Sequence, residues 1–151
     1  MALNHKSIVP IVIAMALVVV MPATAAARVK ITKIQYDPPG SDNGSNKHLN
    51  KEFIVLKNTG GKTNLKGWRI RDNGSDHVYK FRSRLILRRG RFVTLRTGAG
   101  RDDRNDRFWR LDNYVWNNDG DRATLVKPSG RIADRCGYEG GSSPNPPKDC
   151  N

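Results

Sequence analysis

Residues 49–72 read LNKEFIVLKNTGGKTNLKGWRIRD, and how this stretch folds governs how the rest of the chain is read. Glu52 to Asn58 is a short apolar, β-rich run. Farther on, Trp68 and Ile70 alternate with Arg69 and Arg71, the two-residue period that sends successive side chains to opposite faces of a pleated strand. Asn58-Thr59-Gly60-Gly61 has the composition of a tight connection, with Gly60 and Gly61 suited to positive φ. Gly67, next to Trp68, leaves room for a neighbouring chain to approach while the indole fills a core. The stretch reads as two strands, 52–58 and 65–71, joined by a turn.

The same pattern continues outward. No segment after Ala27 keeps apolar residues at the three-and-four spacing of a helix over three turns, and short β-rich runs alternate with Gly, Pro, Asn and Asp. The further strands expected are 29–36, 77–82, 84–88, 91–97, 113–116, 122–127 and 131–136. This is an all-β chain, a sandwich or a small barrel. Phe81, Leu85 and Leu87 share an inward parity, Val93 and Leu95 face in on the next run, and Leu125 joins them in the core. Arg82, Arg84 and Arg88 take the opposite parity, and Thr94 and Arg96 face out. Tyr36 to Lys51 is a long polar insertion of the kind that often serves as a binding surface.

Residues 1–27 have a short polar start with Lys6, an apolar run from Ile8 to Met21 and small residues at Ala23, Ala25 and Ala27. This is the plan of a secretory signal cut after Ala25 or Ala27, the competing reading being a retained membrane anchor. No later segment is apolar enough to span a bilayer. The expected product is a secreted, extracellular, monomeric domain over 28–138 with a Gly/Ser/Pro-rich tail over 139–151. The whole chain carries a net charge of +13; residues 1–27 hold one of its 27 basic residues and none of its 14 acidic ones, so cleavage leaves +12. Such a field favours anionic partners. Cys136 and Cys150, in an exported context, are expected to pair and staple the tail, worth about 3 kcal/mol by chain entropy, with a reactive free thiol as the alternative.

Two stretches resemble a known family. Leu49–Asp72, with an acidic residue and an aromatic opening a strand that ends in Lys-Asn-Thr, followed by Leu-x-Gly-Trp, looks like the opening of a lamin tail domain. Asn117-x-x-Gly120-Asp121-x-Ala123-x-Leu125 is similar to the late hairpin of that domain, and the insertion at 36–51 matches its exported bacterial type. The resemblance covers roughly Val29 to Cys136. It implies an immunoglobulin-like β-sandwich that serves as a binding or interaction module without catalytic residues. No sustained apolar heptads precede it, so the coiled-coil rod of lamins does not carry over.

The oxygen-rich stretch WNNDGDR, 116–122, fails as a calcium loop: counting from Asn117, the sixth position is Arg122 and the twelfth Pro128, where glycine and glutamate are needed. It reads instead as a hairpin corner, with Gly120 at positive φ and Asp121 bonding backbone amides. RDDRNDR, 101–107, reads as a charge-balanced surface loop. His48 and His77 sit at no metal-ligand spacing, and no nucleophile motif or phosphate loop is present. No metal, cofactor or catalytic residue is expected. The enzymatic alternative is a metal-dependent hydrolase using Asp102, Asp103 or Asp119.

Between Arg82 and Arg110 lie ten arginines and no lysine. Arginine's planar fork suits phosphate and carboxylate. Arg82, Arg84, Arg88 and Arg96 are the expected polyanion-binding stripe, flanked by Phe108, Trp109, Tyr114 and Trp116, some of which must be core. The partner expected is an anionic polymer, DNA or a cell-wall polyanion. The alternative is a structural or protein-interaction domain that uses a sheet edge or the 37–51 loop, its charge incidental.

Overall fold

The computed structural model describes residues 28–74, 76–141 and 145–150; the export segment falls outside them. Eleven strands and one short helix follow in order: β1 (Val29–Gln35), α1 (Asn46–Leu49), β2 (Phe53–Asn58), β3 (Thr63–Asn64), β4 (Arg69–Arg71), β5 (Val78–Lys80), β6 (Ile86–Leu87), β7 (Phe92–Arg96), β8 (Asp106–Phe108), β9 (Gly120–Val126), β10 (Ile132–Glu139) and β11 (Lys148–Asp149). They form a five-stranded sheet ordered β11-β1-β2-β7-β8, a four-stranded sheet ordered β10-β9-β4-β5 and a β3-β6 ribbon. The two larger sheets close on one core. Ile31, Ile34, Ile54, Leu56, Val93 and Leu95 come from the first; Ile70, Ala123 and Leu125 come from the second. Trp68, Phe81, Leu85 and Leu87 are buried with them, as their parity requires.

The departures from simple alternation have local causes. Ile31 and Ile34, three residues apart, are both fully buried because the β1–β2 register slips between Ile31 and Lys33, resetting the parity. The N–H of Ile31 is taken by Asp134 Oδ2 at 2.8 Å, from a matching irregularity on β10. Cys136 on β10 and Cys150 after β11 form a disulfide, and Cys150 N–H bonds Thr32 O at 3.0 Å. One seam of the sandwich is thus closed by a covalent bond, a half-buried carboxylate cap and an added strand.

Residues 113–116 are not a strand. Glu52, fully buried, holds them in place by accepting the N–H groups of Val115 (3.1 and 3.2 Å) and Trp116 (2.8 Å), with Thr97 Oγ1 donating to the same carboxyl. The turn at Asn117–Gly120 therefore opens β9 rather than joining two strands; the β9–β10 corner is at Lys127–Gly130. Asp121 Oδ1 accepts from Arg122 N (2.6 Å) and across to Asn73 N (3.1 Å). Gly67 has φ +84°, and a Cβ there would lie 3.3 Å from Pro128, the close approach its place beside Trp68 suggested. The 58–61 connection is made differently from expectation: positive φ does not fall at Gly60 or Gly61, and the Asn58 side chain ties the turn instead.

Candidate binding surface

Asn58 organises the basic end of the molecule. Its side-chain amide donates to Gly61 O (2.7 Å) and Leu87 O (2.8 Å), and its Oδ1 accepts Gly60 N–H (2.9 Å). Its backbone bonds Arg91 O (3.0 Å) and Gly90 N (2.7 Å). With every polar group engaged, this buried residue fixes the turn from Arg88 to Arg91, which Arg91 N closes on Arg88 O at 3.0 Å.

A second turn faces it. Asp103 accepts the N–H groups of Asn105 and Asp106, both at 2.7 Å, and these bonds, Asp106's above all, hold its carboxyl below the usual carboxylate range. Thr94 N–H bonds Asn105 O at 2.7 Å, fastening this turn to β7. The acids of RDDRNDR are therefore scaffold that presents Arg104. Asp106 and Arg107, expected to be loop, form β8 together with Phe108, paired in parallel with β7.

The two turns bring Arg88, Arg91, Arg104 and Asn105 around a groove of about 430 Å³ next to Phe92, which is 51% exposed. Among the described residues no carboxylate forms an ion pair with any of the three arginines. The expected stripe is only partly assembled. Arg82, Arg84 and Arg88 are exposed, but they flank the β3–β6 ribbon and do not share a sheet with Arg96. Arg96 is committed to the fold: its Nε pairs with Asp106 Oδ1 at 2.7 Å and its Nη1 donates to Asn50 O at 2.9 Å, because β8 lies alongside β7 and supplies the acid.

The flanking aromatics are largely structural. Trp116 is core, Trp109 packs against it with ring centroids 6.2 Å apart, and Tyr114 O–H lies 2.7 Å from His48 Nδ1. Phe92 is the free ring, and parity marks it: with Val93 and Leu95 inward, it must face out. The 36–51 insertion is partly built into the fold through α1, whose Asn46 exchanges hydrogen bonds with Ala99 N (2.6 Å) and Ala99 O (3.0 Å). A larger groove of about 650 Å³ sets Asp121 and Glu139 against Arg122 and Lys148 and so favours neither charge. Asp102 accepts Phe108 N–H (3.1 Å), Asp119 is on the exposed turn before β9, and no group of three or more His, Cys, Asp or Glu side chains is placed to hold a metal among the described residues.

The sequence matches the lamin tail domain family over residues 22–140, well over half of the chain. The chain belongs to the lamin tail domain family. This is a family of non-enzymatic, immunoglobulin-like interaction domains, and the two stacked sheets agree with that fold. The comparison with curated proteins found no match. Within this lamin tail domain the Leu49–Asp72 segment has clear physical roles: Glu52, just before β2, and Asn58, at its end, anchor 113–116 and the arginine-bearing turn, and the Leu65-x-Gly67-Trp68 bend fits under Pro128. No helix among the described residues is long and apolar enough to cross a membrane.

Proposed function

We propose that this lamin tail domain is an exported, non-catalytic module that binds an anionic polymer, a nucleic acid or a cell-wall polyanion, at the groove formed by Arg88, Arg91 and Arg104. The observation that carries the reading is that three guanidinium groups with no carboxylate in ion-pair contact among the described residues converge beside a half-exposed phenylalanine. A face that only kept the chain soluble would have its charges interspersed with acids; here Asp103 is turned onto backbone amides, and Asp102 and Asp106 are paired with Arg110 and Arg96, outside the groove. Arginine forks engage phosphate or carboxylate, and an exposed ring offers a surface on which a base or sugar can stack. The disulfide and the leader-like residues 1–27 support an extracellular setting.

The test is titration of labelled single-stranded DNA and of an acidic wall polymer across a range of salt concentrations. Three phosphates neutralised on a single strand give a log–log salt slope of about −2. Reversing Arg88, Arg91 and Arg104 to Glu together should abolish binding and the slope. Absence of salt-dependent binding at low ionic strength, or equal binding by the reversed variant, rejects the proposal.

A further inference from the structure

The seam opposite the disulfide is open. There the edge of the four-stranded sheet, β5, runs beside β8 across a groove of about 290 Å³. On β5 the ladder bonds bracket the strand: Phe81 N donates to Trp68 O at 3.0 Å, and His77 O accepts Asp72 N at 3.3 Å. By the two-residue period, Tyr79 faces β4, and the N–H and C=O groups of Val78 and Lys80 point away from the sheet. The β8 side is covered: Arg110, the non-glycine residue with positive φ (66°), bonds Phe108 O, Gly100 O and Asp102 Oδ1, folding the 100–102 segment over that edge. Of the two strands at this seam, β5 is the one that offers an unpaired backbone edge.

Arg107 gives the groove its chemistry. It pairs in register with Leu95, a core-facing residue, so its side chain is directed between the sheets. It is 8% exposed; among the described residues its guanidinium makes one hydrogen bond, Nη1 to Asp106 O at 3.0 Å, no carboxylate lies in ion-pair contact with it, and Asp103 acts on it only from a longer range. A guanidinium taken out of water without a counter-ion in contact is costly. Lys80 and Arg82 line the same groove with no carboxylate in ion-pair contact among the described residues, Asp102 is already paired with Arg110, and Tyr79 and Trp109, 5.8 Å apart, form an aromatic wall.

We propose that this seam binds an acidic peptide in extended conformation, which adds to β5 as a further strand and sets a carboxylate against Arg107. Backbone pairing supplies the register, and because successive side chains of a strand face opposite ways, every second side chain of the added strand faces inward, where an acidic one meets Arg107. The site is separate from the Arg88–Arg104 groove and does not depend on its reading.

The probe is a labelled peptide of about eight residues alternating Thr and Glu, compared with its Thr/Gln counterpart by fluorescence anisotropy and by amide chemical shifts. The Glu peptide should bind at least about tenfold more tightly, as expected when a charged hydrogen bond is gained, and should shift and protect the amides of Val78 and Lys80. Val78→Pro removes an outward N–H that the ladder does not use and should weaken binding while leaving the fold intact. Arg107→Met should remove the preference for Glu over Gln. Binding unaffected by either change, shifts centred on Arg88 and Phe92 in place of β5, or displacement of the peptide by polyphosphate would each overturn the proposal. If Arg107→Met fails to fold, the Val78→Pro comparison and the amide shifts still decide.

Discussion

Replacing Glu52 by Gln should remove a specific pH dependence of stability. The carboxyl is fully buried at the start of β2, and burial raises its pKa from 4.5 to about 7 against the opposing hydrogen bonds from Thr97, Trp116 and Val115. With the folded value above the unfolded one, the stabilising contribution is complete below pH about 4.5 and is lost as pH rises through about 7, because in that interval the unfolded chain has released a proton that the folded chain retains. The gap is worth about 3 kcal/mol, or a melting shift of about 10 °C for a domain of this size. Glutamine keeps the contacts: Oε1 can accept from Val115 and Trp116, and Nε2 can donate to the Thr97 hydroxyl. Urea unfolding of wild type and Glu52→Gln at intervals from pH 4 to 8 isolates the effect. Asp103, whose depressed pKa acts in the opposite direction, is common to both proteins. The wild type should lose about 3 kcal/mol more than the variant over this range. Parallel profiles would refute the reasoning.

Asn58→Ala should cost about 2 to 4 kcal/mol, since Leu87 O and Gly60 N–H lose a buried partner. It should also weaken polymer binding at unchanged peptide affinity, because the Arg88–Arg91 turn loses its anchor; denaturant melts and the two titrations check this. Converting Cys136 and Cys150 to Ser should cost about 3 kcal/mol and raise amide exchange at Lys148 and Cys150, which β1 otherwise holds at Ile34 and Thr32; unchanged melting would show that the staple is redundant with β11.

Most of the sheet framework was legible because burial on one face imposes a period of two. Val93 and Leu95, Trp68 and Ile70, and Leu85 and Leu87 are where alternation put them. What was not legible depends on contacts between distant segments. Asp106-Arg107-Phe108 has the composition of a solvated loop, and only the adjacent β7 makes it a strand. The β1 bulge is set by Asp134, more than a hundred residues away. A buried Glu52 contradicts the usual exposure of carboxylates, and its partners sit in 97–116, too far along the chain for a local pattern to signal. Of the expected stripe, parity gave the exposure of Arg82, Arg84 and Arg88 but could not show that Arg96 would meet Asp106. Phe92 could have been found by carrying the same parity one residue further.

The two seams of the sandwich are treated so differently that edge protection alone does not account for them. An exposed edge strand invites pairing with other chains, and proteins blunt such edges with lysine, a covering loop or an added strand. At β1 and β10 this chain uses β11, the Asp134 cap and the disulfide; at β8 it uses the 100–102 cover. For β5 the guard would be Lys80 alone, beside a 48% exposed Val78. Lys80 could serve that purpose from the surface without any help from Arg107. A gatekeeper works by being solvated and repelling a second strand, whereas Arg107 is buried and turned inward, where it repels nothing outside and costs stability while unpaired. An inward cation with no carboxylate in contact among the described residues, beside an unpaired edge, is explained by a partner that brings both a backbone to pair and a carboxylate to neutralise. The same combination excludes a second copy of this edge, since two β5 strands would set Lys80 and Arg82 against their own likeness and bring no carboxylate to Arg107.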